Sequence, residues 1–537
     1  MEFGKEKKNF GYMKLILKMT KKILKHPLTW LLLIGFLIRV YGVLNFPIRH
    51  DEIISILNGI KKTEDSLVNF FFKASLENCL GLTPLYFWVE KFFVEIFGEN
   101  NIGLRFFPLL SGILTPILAY FIIKKYFNER IAILSAFFII FSSNFLWSSS
   151  KSQYFEVLIL PLLFLIFYFT FSSFKNKFVF VSFLFFLIFF TYFGKAMALF
   201  LTFLAWYLIS KTFEIFWKKE NFSQLKKEIL QIFSSFLILL IWIVSAHFFV
   251  FSKEAIQSEV GLGKVESIWK MIFLTTFGYG TASKQFLAGS QRGAFLIYND
   301  TQIWPTETLL FIPFLIGIIF VFGNLLKSLK EKNIEDFRMN SFLLISAILP
   351  LCYIFLLGLI SARFHFLYFV PFVIISALGF EKIFEFAKEN KKIAVFVFFV
   401  FCVYLSYTSS WESWFYKVLN WEKFLLFFVL SLIFTTFYIF VLNFSKNLDV
   451  VKNYFISFFL VLIIFLNITK GPIAWGKNAE WEPAFDNKLK PCPNCYAEKS
   501  EGELIDFAII KKDPKICSKL PENYKDDCLK NFYEIEK

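Results

Sequence analysis

No small-residue cleavage site follows the first apolar run of this 537-residue chain, so the run is expected to remain as a membrane helix rather than leave with a secretory signal. No internal repeat or low-complexity linker is found, beyond a general bias to phenylalanine, which supplies 80 residues. Two similar halves are therefore missing, which weighs against transporter architectures built from repeats. A basic patch is missing too. The formal net charge is +15, but the lysines recur in short clusters between apolar segments, as in cytoplasmic loops, so nucleic-acid binding is discounted. What fills the chain instead is apolar: 57% of residues are hydrophobic and the mean hydropathy is +0.59, more than a soluble domain of this size needs. The sequence is that of an integral membrane protein.

Windows of about 20 apolar residues, long enough to cross a bilayer, fall at 29–47, 102–123, 131–148, 157–174, 178–195, 197–215, 228–250, 305–326, 341–360, 367–386, 393–409, 424–444 and 454–469. The expected architecture is all-α and polytopic, with about thirteen transmembrane helices. A cytoplasmic N-terminus puts "KKYFNER", "KNK", "KKENFSQLKKE", "KSLKEKNIEDFR", "KENKK" and "SKNLDVVKN" inside, in keeping with the positive-inside rule at every turn. The chain then divides into a basic cytoplasmic stretch at 1–28, a membrane domain at 29–469 and a small extracytoplasmic tail at 470–537. Two long external loops are expected, at about 48–100 and 251–304; the first mixes aromatics with charges, as helices lying among headgroups do.

The tail holds Cys492, Cys495, Cys517 and Cys528. Outside the cytoplasm disulfides persist, and a Cys517 to Cys528 bridge would staple two short helices. Zinc is the rival reading, since "CPNC" is half of a common pattern. The other half lacks the close spacing of a tetrahedral site, and disulfides are favoured.

Ionisable residues concentrate on the external face. "NFPIRHDEIISILNG" at 45–59 carries Arg49, His50, Asp51 and Glu52 where the first apolar run ends. In one reading Asp51 caps a short helix while Arg49 and His50 anchor the interface. In the other these residues join Arg105, Lys151, Gln153, Tyr154, Glu156, Lys195, Arg363 and His365, all expected on the same face, in a cavity that binds an anionic lipid head group.

Such a cavity fits attack by a hydroxyl on a sugar C1 carried by a lipid phosphate. A carboxylate must accept the hydroxyl proton and cations must stabilise the departing phosphate. Asp51 is the candidate base and Glu52 its helper or a substrate ligand. Arg363 and His365 lead the phosphate contacts, because a guanidinium binds two phosphate oxygens at once; Lys195 and Arg49 follow, with Lys264 and Arg292 weaker candidates. His50, Tyr86, Tyr154 and Glu156 are candidates for contact with the sugar or the acceptor. No metal site and no cofactor is expected.

These stretches resemble the GT-C membrane glycosyltransferases, in particular the protein O-mannosyltransferases, aminoarabinose transferases and related enzymes that use polyprenyl-phosphate sugars. The resemblance rests on the Asp51–Glu52 pair in the first external loop, "TPLYF" at 83–87, "FGENNIGLRFFPLLSGIL", "KSQYFEVL" and "ARFHFLYFVPF", in order over roughly residues 29 to 386. It implies an inverting transfer from a polyprenyl- or dolichyl-phosphate sugar to an acceptor hydroxyl, on a protein, a glycolipid or a polysaccharide, at the outer face of the cell membrane, with the aspartate as general base. The sequence departs from the family pattern at Lys151 and Gln153, and no "WWDYG"-like stretch of the oligosaccharyltransferases occurs in the tail. A multi-pass transporter or lipid flippase is the alternative, and an inactive membrane scaffold with the same fold is a third reading.

Overall fold

A computed structural model describes residues 26–45, 84–98, 100–150, 156–218, 225–234, 256–258, 263–265, 305–356 and 366–389, with isolated positions elsewhere. The expected spans at 228–250, 393–409, 424–444 and 454–469 lie wholly or largely outside these residues, as does the cysteine-bearing tail.

The described helices are α1 (Pro27–Asn45), α2 (Pro84–Phe97), α3 (Asn101–Tyr126), α4 (Glu129–Phe141), α5 (Ser143–Ser148), α6 (Glu156–Phe171), α7 (Lys177–Thr191), α8 (Phe193–Lys218), α9 (Pro305–Glu331), α10 (Ile334–Leu356) and α11 (Phe366–Glu389). The extended pairing among the described residues is a short antiparallel hairpin of β1 (Ile256–Ser258) and β2 (Gly263–Val265), within the expected second external loop, with Lys264 opposite Gln257. Five stretches, Pro27–Leu44, Asn101–Tyr126, Ala196–Lys218, Ile312–Glu331 and Phe366–Phe386, are long and apolar enough to cross a membrane, and Val157–Phe171 and Lys177–Thr191 are shorter apolar helices. Their outer faces are apolar as well: Phe121, Phe183, Ile319 and Phe322 are more than half exposed. A helix apolar all round suits lipid on one side and protein on the other.

One expected span is two helices. The window 131–148 is expected as one span, but α4 stops at Phe141 and α5 starts at Ser143, where Ser142, Ser143 and Asn144 interrupt the apolar residues. Ser142 has extended backbone (φ −57°, ψ 123°), and its Oγ accepts from the Phe145 N–H at 3.3 Å, an N-cap that opens α5 inside the apolar run.

Contacts between helix ends define two poles of the bundle. At the first, His26 ahead of α1 meets Glu129 at the start of α4, and Asn128 Nδ2 donates to Glu381 Oε1 near the end of α11 at 2.9 Å. Tyr126 Oη donates to the Tyr168 carbonyl at 2.8 Å, joining the ends of α3 and α6, and Trp206 Nε1 donates to the Arg338 carbonyl at 3.1 Å, joining α8 to the start of α10. Basic residues stand in the last turns of α3 (Lys124 and Lys125), α8 (Lys218) and α9 (Lys330).

Helices α9 and α11 cross at close range. A Cβ built on Gly379 would lie 1.8 Å from the Pro313 carbonyl oxygen, and one on Gly317 would lie 2.1 Å from the Ile375 carbonyl oxygen. Only glycine lets the two backbones approach this closely, the packing device of membrane helices. Ser376 and Phe372 continue the seam, toward the Leu310 carbonyl and the Phe314 ring.

Candidate functional site

The second pole is the end at which the described helices lead to the stretches bearing the expected site residues, and it is built by a series of specific contacts. The "FGENNIGLR" stretch makes the turn between α2 and α3. Gly98 has a positive φ of 88°, which suits glycine. Asn100 Oδ1 accepts from the backbone N–H groups of Ile102 and Gly103, both at 2.9 Å, capping α3, while its Nδ2 donates to the Phe97 carbonyl at 2.8 Å. A side chain at Gly103 would strike the Gly98 carbonyl oxygen, at 2.1 Å from its Cβ. Two residues on, in the first turns of α3, the motif delivers Arg105.

Arg105 is fully buried, and its Nη1 donates to the Val43 carbonyl at 2.9 Å. That bond joins the end of α1 to the start of α3. Deeper in the same wall, Ser111 Oγ donates to the Val157 carbonyl in the first turn of α6.

Arg39 in α1 is the buried cation that sequence reasoning missed. It is 1% exposed; Nε donates to Ser149 Oγ at 2.8 Å, Nη1 to the Gly35 carbonyl at 3.0 Å, and the guanidinium carbon lies 5.5 Å from the centroid of the Phe145 ring. Its Nη2 is buried with no hydrogen-bond partner, and no carboxylate pairs with it among the described residues. The signal was in the sequence: a lone charge in "LLLIGFLIRVYGVLN", where an ionisable group is costly unless it serves something.

Three chain exits and the α7–α8 turn are linked to the wall that holds Arg39 and Arg105. Phe145 of α5 meets Phe369 in the first turn of α11 at 6.3 Å between ring centroids, and Tyr192, between α7 and α8, meets Phe366 at the same separation. The stretch bearing Arg363 and His365 enters at Phe366. The stretch bearing Arg49, His50, Asp51 and Glu52 leaves from Asn45, and that bearing Lys151, Gln153 and Tyr154 leaves from Ser150. Those residues lie outside the described ones, as does Arg292. Glu156 is the first residue of α6 and Lys195 is in the first turn of α8.

Tyr86 in α2 is completely buried, with its ring edge-on to Phe107 of α3 at 5.9 Å. The "TPLYF" stretch thus seats α2 on α3. Elsewhere, a cavity inside the bundle lined by Leu163, Phe185, Thr202, Phe342, Ser346 and Pro371 carries no charged side chain. Among the described residues no group of His, Cys, Asp and Glu side chains is arranged to hold a metal ion.

The opposite pole carries closed charge networks. Lys124 Nζ donates to Glu129 Oε1 at 2.7 Å and Tyr120 Oη to the same oxygen at 2.9 Å, with His26 Nε2 at 3.4 Å. These hydrogen bonds, Lys124 foremost, then Tyr120 and His26, hold the Glu129 carboxyl down to about 2 at the entry of α4, ahead of the span. Lys211 Nζ lies 2.8 Å from Glu214 Oε2 and 3.1 Å from Glu228 Oε2, and Tyr207 Oη donates to Glu228 Oε2 at 2.5 Å. Lys124 and Lys211 thus have carboxylate partners, in contrast to Arg39.

A family model described as dolichyl-phosphate-mannose-protein mannosyltransferase matches residues 82–249. Three of the five motif stretches, "TPLYF", "FGENNIGLR" and "KSQYFEVL", fall inside that range. Among solved structures, ArnT from Cupriavidus metallidurans in the apo state is 10% identical, over 83% of this chain and 76% of that one, with a TM-score of 0.42. The same protein bound to undecaprenyl phosphate is 10% identical, over 92% of this chain and 80% of that one, with a TM-score of 0.44. The archaeal oligosaccharyltransferase AglB from Archaeoglobus fulgidus, in complex with an inhibitory peptide and a dolichol-phosphate, is 14% identical, over 94% of this chain and 60% of that one, with a TM-score of 0.41. No curated protein matches the chain.

Proposed function

We propose that this chain, a multi-pass membrane protein of the GT-C glycosyltransferase kind, moves a sugar from a polyprenyl- or dolichyl-phosphate donor to an acceptor hydroxyl at the external membrane face, with inversion at the sugar C1. The observation that supports the reading is the convergence on one pole of the helix ends leading to Asp51 and Glu52, to Lys151–Glu156, to Lys195 and to Arg363 and His365, beside two buried arginines. The family description, with its lipid-phosphate-linked sugar, agrees with it.

In this reading Asp51 accepts the acceptor's hydroxyl proton as the oxygen attacks C1, and Glu52 orients the attacking group. The C1–O bond to the phosphate breaks on the opposite side, and the lipid phosphate leaves as an anion held by Arg363, His365, Lys195 and Arg49. A phosphate monoester is a good enough leaving group to need no general acid. His50, Tyr154 and Glu156 belong to the sugar and acceptor side; Tyr86, expected there from the sequence, is completely buried against Phe107 and serves that side by seating α2 on α3. The cytoplasmic N-terminus and external tail follow from the lysine pattern of the loops.

The test is release of lipid phosphate from dolichyl-phosphate-linked and undecaprenyl-phosphate-linked labelled hexose or pentose by the purified full chain, with no ion gradient. Asp51→Asn is expected to abolish release while insertion and yield persist, and Arg363→Ala to raise the donor KM more than the acceptor KM. Full release by Asp51→Asn removes the proposed base. Gradient-dependent movement of the intact lipid-sugar, without release, favours the transporter reading.

A further inference from the structure

We infer that Arg39 is a positioning residue of the proposed transferase site: its guanidinium ties α1 to the α5 break, and so sets the spacing between the two chain exits that lead to Asp51 and Glu52 on one side and to Lys151–Glu156 on the other. The inference rests on the functional reading above and adds a residue that no sequence motif assigned.

Three observations carry it. First, the tie is specific. Nε and Nη1 leave the guanidinium in a fixed fork, one to Ser149 Oγ at 2.8 Å and the other back to the Gly35 carbonyl of its own helix at 3.0 Å. Ser149 in turn donates to the Phe145 carbonyl, so the fork grips the end of α5 rather than a free hydroxyl.

Second, the guanidinium lies in a slot that only glycine leaves open. A Cβ on Gly112 of α3 would lie 2.6 Å from Arg39 Nε and 2.7 Å from Ser149 Cβ, and a Cβ on Gly35 would lie 3.1 Å from Arg39 Nη1. Two glycines thus open the slot in which the guanidinium runs between three helices.

Third, the arrangement is costly for a mere fastener. Burying a guanidinium that has no carboxylate partner among the described residues, with Nη2 unpartnered there, costs on the order of several kcal/mol in an apolar interior. A neutral pair would hold two helices at less cost. Such local expense gathers where geometry serves chemistry. The position agrees: Arg39 is six residues before the end of α1, and Ser149 is one residue past the end of α5.

The test compares Arg39→Lys, Arg39→Met and Ser149→Ala in the full chain, reading lipid-phosphate release from the donor on which wild type is active, together with thermal unfolding and hydrogen exchange of peptides covering 142–150. Positioning predicts that Ser149→Ala and Arg39→Lys lower kcat by roughly tenfold to a hundredfold with donor KM changed less than about threefold, and raise exchange at 142–150. Lysine keeps the charge but lacks the fork, so it is not expected to rescue. The double variant Arg39→Met with Ser149→Ala should be no worse than Arg39→Met alone, because the two side chains act as a unit. Should Arg39→Met fail to fold, Ser149→Ala, which leaves the cation in place, still decides.

Unchanged kcat in Ser149→Ala and Arg39→Lys overturns the inference, as does rescue by lysine. So does a loss of activity that only tracks the folded fraction. If wild type releases lipid phosphate and Asp51→Asn does not, the functional reading stands whatever Arg39 does; if wild type releases none from any of the four donors, that reading fails, and exchange at 142–150 alone reports the tie.

Discussion

Arg105 Nη1 donates to the Val43 carbonyl at 2.9 Å, across 62 residues of sequence, and both groups are buried. The bond holds the first turns of α3 against the end of α1, at the point where the chain leaves for Asp51. A buried hydrogen bond from a charged donor contributes about 1.5–3 kcal/mol. Arg105→Met is therefore expected to lower transfer by roughly tenfold or more through loss of position, since about 1.4 kcal/mol is tenfold in rate. Steady-state kinetics on folded, monodisperse protein checks it. A normal kcat in that variant would show that the α1–α3 junction does not govern the site.

The α9–α11 crossing gives a contrast that depends on packing alone. At Gly379 an added methyl meets the Pro313 carbonyl at 1.8 Å, and no rotamer relieves a backbone oxygen. Gly379→Ala is expected to destabilise by about 1–3 kcal/mol or more, the range for overpacking. Gly323 is in the same helix as Gly317, but a methyl added there would meet nothing within 4 Å. Gly323→Ala should be neutral or stabilise by up to about 1 kcal/mol, since alanine is the better helix former. Thermal unfolding of the two variants in one detergent decides, and equal effects would contradict the close crossing.

Much of this fold could be read from hydropathy. The expected windows at 29–47, 102–123, 157–174 and 367–386 agree with α1, α3, α6 and α11 to within a few residues. A twenty-residue average has no access to the break at Ser142, because it blends the short polar run Ser142–Ser143–Asn144 into the apolar residues on either side; the cap that makes the break is a single hydrogen bond. Arg39 was hidden for the same reason, one charge diluted in a long apolar run. The motif stretches were legible as stretches, and the structure gives two of them a physical role. "FGENNIGLR" is a capped, glycine-tight turn, and "TPLYF" is the seat of α2. What the sequence could not supply was the tertiary convergence of distant helix ends, which depends on contacts such as Phe145 with Phe369, far apart in the chain.

At the other pole, Lys211 holds two carboxylates, Glu214 and Glu228, and all three side chains are largely buried. Removing the cation takes a buried counter-charge from both acids, although Lys218 Nζ stays 4.0 Å from Glu214 Oε1 and Tyr207 Oη still donates to Glu228. Lys211→Met is expected to cost about 3–5 kcal/mol, as breaking a buried pair does. Adding Glu228→Gln should recover part of that loss, because the second change removes one of the stranded charges. Chemical or thermal unfolding of the single and double variants measures the coupling; additive losses would mean that Lys211 and Glu228 do not act together.

The Glu129 staple sets a pH window. Its carboxyl, normally near 4.5, is held down to about 2 by hydrogen bonds from Lys124, Tyr120 and His26. The unfolded chain therefore takes up this proton before the folded one does, and stability falls with falling pH wherever that difference exists. The contribution is complete above about 4.5 and is lost as the pH drops through the interval toward about 2. Glu129 is half-exposed, so solvent and salt screen it and the effect is small. The difference in Tm between the native chain and Glu129→Gln should be flat from about pH 8 to 5 and close between about 4.5 and 2, and raising the salt should shrink it. A difference that instead grew on acidification would mean that the carboxylate is not what Lys124 and Tyr120 hold.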